Sequence, residues 1–193
     1  MGREELEEHV QNALEKCQEI ILNHPNVVLS EADFERLLCK CISNEIEEVV
    51  EQLPSPNHYS VHTQISHYIK ENGKYKIKER VDILILDESL LEECKVHKKD
   101  KYFGPSIALE LKYLHIGDSV NCVEDDFDKW KNIKEDSSLY VVVLLEANNE
   151  KRFNRKKDKI MKFENKYSEN RQIGQNSDER PNSLHSYVMI KKK

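Results

Sequence analysis

The chain reads as an α/β fold in which a central mixed sheet is flanked by helices. Three observations predict this. Two stretches in the first fifty residues place apolar side chains at helical spacing. Three later runs, within 80–86, 106–114 and 139–145, are apolar on both faces, as covered central strands are. A third helical stretch separates the last two of these runs. With one alternating strand ahead of them, the core order is helix, strand, strand, strand, helix, strand.

Each element has its own signal. Leu6, Val10, Leu14, Cys17 and Ile21 recur at helical spacing and predict an amphipathic helix over 3–22, broken by His24-Pro25-Asn26. Ser30 is placed to cap the next helix, with Glu31 and Asp33 suited to its positive end. The stripe Phe34, Leu37, Leu38, Cys41, Ile42, Ile46, Val49, Val50 and Leu53 carries that helix to about residue 52, before Pro54. From Tyr59 to Ile69 the odd positions are mostly apolar or β-branched, which predicts a strand. Asn72-Gly73 is a hairpin turn signal into a strand over Tyr75–Leu86. Residues 87–104 are charged and irregular and read as a loop ending in Gly104-Pro105. The strand around Glu110 follows, then a helix marked by Val123, Phe127, Trp130 and Ile133, then a buried strand over Leu139–Leu145. A basic segment from Lys151 reads as helical near Ile160-Met161-Phe163, residues 168–182 as a loop, and Ser186–Ile190 as a last strand.

A chain of 193 residues is long enough to bury one real core. We divide it into an N-terminal helical extension, 1–29, and a domain over 30–193 with a basic segment at 151–171. No apolar run reaches the roughly 18 residues of a membrane span, and Met1-Gly2-Arg3-Glu4-Glu5 is unlike a signal or transit peptide. Five cysteines without Cys-x-x-Cys spacing fit reduced thiols better than disulfides or zinc, so a cytoplasmic location is expected. A net charge of −6 argues against a protein that coats nucleic acid indiscriminately. The charge is uneven, however. Residues 1–52 are acidic, whereas 151–171 hold nine Lys or Arg against Asp158, Glu164 and Glu169, a balance that permits a local phosphate-binding face.

Two of the apolar runs carry charges that a covered strand should lack. Asp82 interrupts Arg80-Val81-Asp82-Ile83-Leu84-Ile85-Leu86, and Glu110 and Lys112 interrupt Ser106-Ile107-Ala108-Leu109-Glu110-Leu111-Lys112-Tyr113-Leu114. Alternation along a strand points Glu110 and Lys112 the same way. A buried carboxylate is costly unless paired or bound to a cation, and sharing a divalent metal answers that need for Asp82 and Glu110.

An acidic residue on one strand followed by Glu-x-Lys on the next resembles the PD-(D/E)XK nuclease superfamily, with its restriction-endonuclease-like αβββαβ core. The resemblance covers roughly Ser30 to Leu145 by element order. Glu93-x-Lys95 and Glu164-x-Lys166 fit the same short pattern, but in segments too polar to be core strands. The resemblance implies a metal-dependent nuclease acting on DNA, with Mg²⁺ or Mn²⁺ held by Asp82, Glu110 and a helix glutamate. Lys112 would sit beside the attacking water. Glu31 matches the helix opening of some families in the superfamily; Glu35 and Glu45 also fall toward the apolar stripe and remain alternatives. Gln64 stands where some relatives carry an acidic residue, which leaves the number of metal ions open. Asp126 reads as a cap or dipole partner, and Trp130 as core.

The implied partner is nucleic acid, DNA before RNA, with a homodimer left open and no membrane. Two other readings stand beside the nuclease: a catalytically silent nuclease-like fold that binds nucleic acid or protein, and an unrelated α/β binding protein whose Glu–Lys pair is structural.

Overall fold

The computed structural model describes residues 3–24, 26–50, 59–71, 74–87, 106–130, 137–167, 170–172 and 184–192. Two helices, α1 (Arg3–Asn23) and α2 (Glu31–Val50), precede three strands, β1 (Tyr59–Glu71), β2 (Lys74–Asp87) and β3 (Ser106–Leu114). Then come α3 (Asn121–Trp130), β4 (Ser137–Ala147), α4 (Glu150–Tyr167), β5 (Asn170–Gln172) and β6 (Leu184–Lys192). The fold is mixed α/β. Its sheet runs β1-β2-β3-β4-β6-β5, with β3 and β4 parallel and every other neighbouring pair antiparallel. A parallel pair needs a crossover, and α3 lies within the one between β3 and β4.

Period-2 alternation divides the core between the two faces of the sheet. Ile83, Ile85, Leu109, Leu111, Tyr140 and Val142 pack against Leu14, Ile21, Phe34, Leu38 and Ile42 of α1 and α2. Leu84, Leu86, Ala108, Val141 and Val143 face the other way, toward Val123 of α3 and Ile160 of α4. The first helix, expected as an extension, contributes six residues to the first of these clusters. It is fixed to α2 by polar contacts as well. The buried Glu45 carboxylate accepts hydrogen bonds from Lys16 (2.5 Å) and Asn12 (3.3 Å), and His9 Nδ1 lies 3.4 Å away.

Ser30 caps α2 as its sequence position predicts. Its Oγ accepts the Asp33 N–H at 3.1 Å, while Asp33 Oδ2 accepts the Leu29 N–H at 3.2 Å, a reciprocal arrangement that fixes the helix opening. The Ser30 hydroxyl, which also donates to Asp33 Oδ2 at 3.0 Å, and then the Leu29 N–H hold the Asp33 carboxyl below its ordinary value. Asn149 does the same for α4, taking the Arg152 N–H at 2.9 Å.

The segment read as a loop over 168–182 contains the short strand β5. Asn170, Arg171 and Gln172 are poor strand formers, but they pair with Lys191, Ile190 and Met189 on the edge of β6. Here pairing overrides propensity. The expected Asn72-Gly73 turn lies outside the described residues, although Glu71 pairs with Lys74 on either side of it. Glu93, Lys95, Ile133 and almost all of the 87–104 loop also lie outside them. Glu164-x-Lys166 falls within α4, so it is not a strand motif. Among the described residues, no helix is long and apolar enough to cross a membrane.

Candidate active site

The sheet opens between β2 and β3, and Asp82, Glu31 and Lys112 gather there. β3 pairs with β4 over its whole length, from Ser106↔Ser137 to Leu114↔Leu145. Its ladder to β2 is far shorter, running from Leu86↔Ser106 only to Ile83↔Leu109. Beyond that point the β3 amides that would have met β2 need other acceptors, because a buried backbone N–H is rarely left unbonded. Leu111 and Tyr113, two apart, face that vacated edge. Asp82 Oδ2 accepts the Leu111 N–H at 2.8 Å, and Glu31 Oε2 accepts the Tyr113 N–H at 3.2 Å. Two carboxylates thus stand in for the missing strand, on either side of Lys112.

The break is also visible in β1 and β2. Val81 packs with Leu84 and Leu86, whereas Ile83 and Ile85 belong to the opposite cluster, so alternation slips across Asp82. On β1 the pairs Thr63↔Ile83 and Ile65↔Val81 flank a position where Gln64 has no ladder partner. Gln64 has a φ of 57°, a left-handed conformation uncommon for a residue with a side chain. Its amide nitrogen donates to Glu35 Oε2 at 3.0 Å and lies 3.3 Å from Asp82 Oδ1. Gln64, which the resemblance sets where some relatives carry an acidic residue, therefore joins α2 to β2 beside Asp82.

Glu110 and Lys112 share the face that looks toward α3 and α4, as alternation required, since Ala108 and Leu114 on the same parity pack there. Glu110 is 2% exposed and the Lys112 side chain 20% exposed. The Lys112 Nζ lies 3.3 Å from Oδ2 of Asp126, itself 1% exposed. Burial alone would lower the pKa of Lys112. Asp126, then Glu31 and Asp82, more than offset that and raise it, so the ammonium stays charged through the neutral range.

The sequence reading named Asp82, Glu110, Lys112 and Glu31. The structure brings Asp82, Glu31 and Lys112 around the stretch that contains Glu110. Glu35 approaches through Gln64, while Glu45 turns to α1 and takes no part. Asp126 was missed as the partner of Lys112. The signal was available: it lies three residues after Val123 on the inward stripe of α3, where a carboxylate needs a cation. Phe127 and Trp130 have side chains outside the described residues.

The donors gathered here are carboxylate oxygens, which suit a hard divalent cation. Among the described residues, no three of His, Cys, Asp and Glu form a ready-made ligand group. Mg²⁺ asks for less, because it keeps several waters and is commonly held by one or two carboxylates. The chemistry of the set therefore fits such an ion. No protein-family model, curated protein or solved structure matches this chain.

Proposed function

We propose that the chain is a metal-dependent nuclease that hydrolyses phosphodiester bonds of DNA, on a restriction-endonuclease-like core. One observation carries this reading: where β2 leaves β3, the Asp82 and Glu31 carboxylates take the amides of Leu111 and Tyr113, on either side of Lys112. The β2–β3 ladder stops at Ile83↔Leu109. Here it ends among acids and one charged amine.

In hydrolysis, a water oxygen attacks phosphorus, the bond to the leaving oxygen breaks, and that oxygen takes a proton. Asp82, Glu110 and Glu31 would hold Mg²⁺ or Mn²⁺, which when bound neutralises phosphate charge and makes water a better nucleophile. Lys112, kept charged by Asp126, Glu31 and Asp82, would orient the water and stabilise charge that develops on the phosphoryl oxygens. Asp126 would act through Lys112 as a positioning residue.

A second reading has its own support. The Lys112–Asp126 pair and the capped amides give these charges a structural use. They are compatible with a catalytically silent module that binds nucleic acid or protein.

A divalent-metal titration separates the two readings, with cleavage followed on supercoiled, linear and single-stranded DNA and on RNA. The nuclease reading expects DNA cleavage that appears with Mg²⁺ or Mn²⁺ and disappears in Asp82→Asn and Glu110→Gln. The Lys112→Ala loss should fall on kcat rather than on DNA affinity. Full activity in Asp82→Asn, or none in wild type with either ion on any substrate, rejects it.

A further inference from the structure

The basic helix α4 is more ordered in its charge than composition alone revealed. Phe153, Ile160 and Phe163 pack inward on the α3/α4 side of the sheet. Turning about 100° per residue from Phe153, the side chains of Lys151, Lys162, Arg155, Lys159 and Arg152 follow one another around about 100° of the helix surface, and Lys156 lies just beyond them, past Phe163. Asp158 falls just outside that arc, and Glu150 well outside it. Lys151, Arg152, Arg155, Lys159 and Lys162 are exposed.

The arc borders the candidate active site. Its flanking residue, Lys156, donates to the His115 carbonyl, immediately after the end of β3 and three residues from Lys112. Cys122, at the start of α3, lies within electrostatic reach of both Lys112 and Lys156. Lys156, which also has Asp118 and Glu146 near it, thus joins the edge of the site to the exposed cations of α4, on a chain whose net charge is −6.

We propose that this arc of α4 is the docking surface for the phosphate backbone of duplex DNA, leading the strand to the site at Lys112. From Arg152 to Lys162 the helix rises about 15 Å, which runs past about four phosphates of one strand. Duplex is favoured over single strands because a single-strand platform stacks bases on aromatic side chains. Both described phenylalanines of α4 face the core. Lys and Arg without base-reading partners position a backbone and leave sequence unread. For the reacting centre, this inference rests on the nuclease reading; for binding it stands alone.

The test is fluorescence anisotropy with a labelled 20-base-pair duplex in EDTA, so that binding is read without cleavage. Wild type is compared with Arg152→Ala/Arg155→Ala/Lys159→Ala and with Lys40→Ala, an exposed lysine on α2. Circular dichroism melts check that each variant is folded. Loss of three phosphate contacts lowers the magnitude of the log Kd against log salt slope by about 2.7, so affinity falls about 40-fold less than in wild type between about 50 and 200 mM salt. Lys40→Ala leaves the slope unchanged. An unchanged slope in the triple variant, no duplex binding by wild type, or tighter binding to single strands or duplex RNA each overturns the proposal. Arc-dependent binding without cleavage of any substrate in Mg²⁺ or Mn²⁺ retains this inference and rejects the nuclease. Cleavage with an arc-independent slope does the reverse.

Discussion

Beneath α1 and α2 the sheet is covered by an apolar layer, and the carboxylate of Glu45 stays between the two helices with Lys16, Asn12 and His9. Beneath α3 and α4, charges enter the layer itself: Glu110 and Asp126 are buried, and Lys112 is largely buried between helix and strand. The first face has the composition that folding favours. The second accepts a desolvation penalty that buried ion pairs seldom repay in stability. That difference separates a face built by packing from one that holds charge, and the proposed site lies where the second meets Glu31 of α2 at the open edge of β3.

The contrast is broken most severely by Phe34→Ala. Phe34 is among the largest fully buried side chains of the first face, and its truncation should cost about 3–5 kcal/mol in a urea melt.

On the second face, Lys112→Ala should cost about 3 kcal/mol, since it removes the cation beside a buried carboxylate. A second substitution, Asp126→Asn, should recover much of that loss and leave cleavage absent. A purely packing role predicts no such coupling between the two positions. The pH dependence has a definite sign. The pKa of Lys112 is raised by folding, so its contribution is complete below the ordinary lysine value, about 10.4. It is lost only as pH rises through the higher folded value. The pair is therefore intact at neutral pH, and wild type should lose its advantage over Lys112→Ala only in strong alkali.

The smallest effect belongs to Glu45→Gln, about 1 kcal/mol, because Lys16 is half exposed. Burial opposes the charge of Glu45, but hydrogen bonds from Lys16, His9 and Asn12 prevail and lower its pKa. The contribution of a depressed carboxyl is present above its unfolded value, about 4.3, and is lost as pH falls through the folded one. Urea midpoints should therefore converge for wild type and Glu45→Gln below about pH 4.3, and separate at pH 7.

The strands at the centre of the fold were legible in the sequence because their apolar runs are long and bounded. Leu84, Leu109 and Val142 sit in the core where pattern alone would put them. Helix starts were legible from Ser30, whose capping chemistry is local. The site was legible only as a set of residue types. That Asp82 reaches the Leu111 amide depends on where the β2–β3 ladder stops, and ladder length is a property of paired strands, not of either one. Glu45 illustrates the same limit: its inward direction on α2 was readable, but the element it would meet was not. Asp126 was legible as inward-facing and was read too blandly as a cap. Gln64 was singled out by the resemblance, but its left-handed conformation gave no warning, since such a residue inside a strand follows from tertiary constraint.

The Leu111 amide has an unusual correspondent. Within the regular ladder an amide proton answers to a peptide carbonyl, which no side-chain substitution removes. The Leu111 proton answers to Asp82, and the Tyr113 proton to Glu31. The backbone therefore carries two built-in reporters, each wired to a different candidate ligand. In ¹⁵N-labelled protein, an arriving cation that draws on Asp82 displaces the Leu111 resonance, and one that draws on Glu31 displaces that of Tyr113. The Leu109 amide, where β3 is still paired with β2, supplies the stationary reference between them.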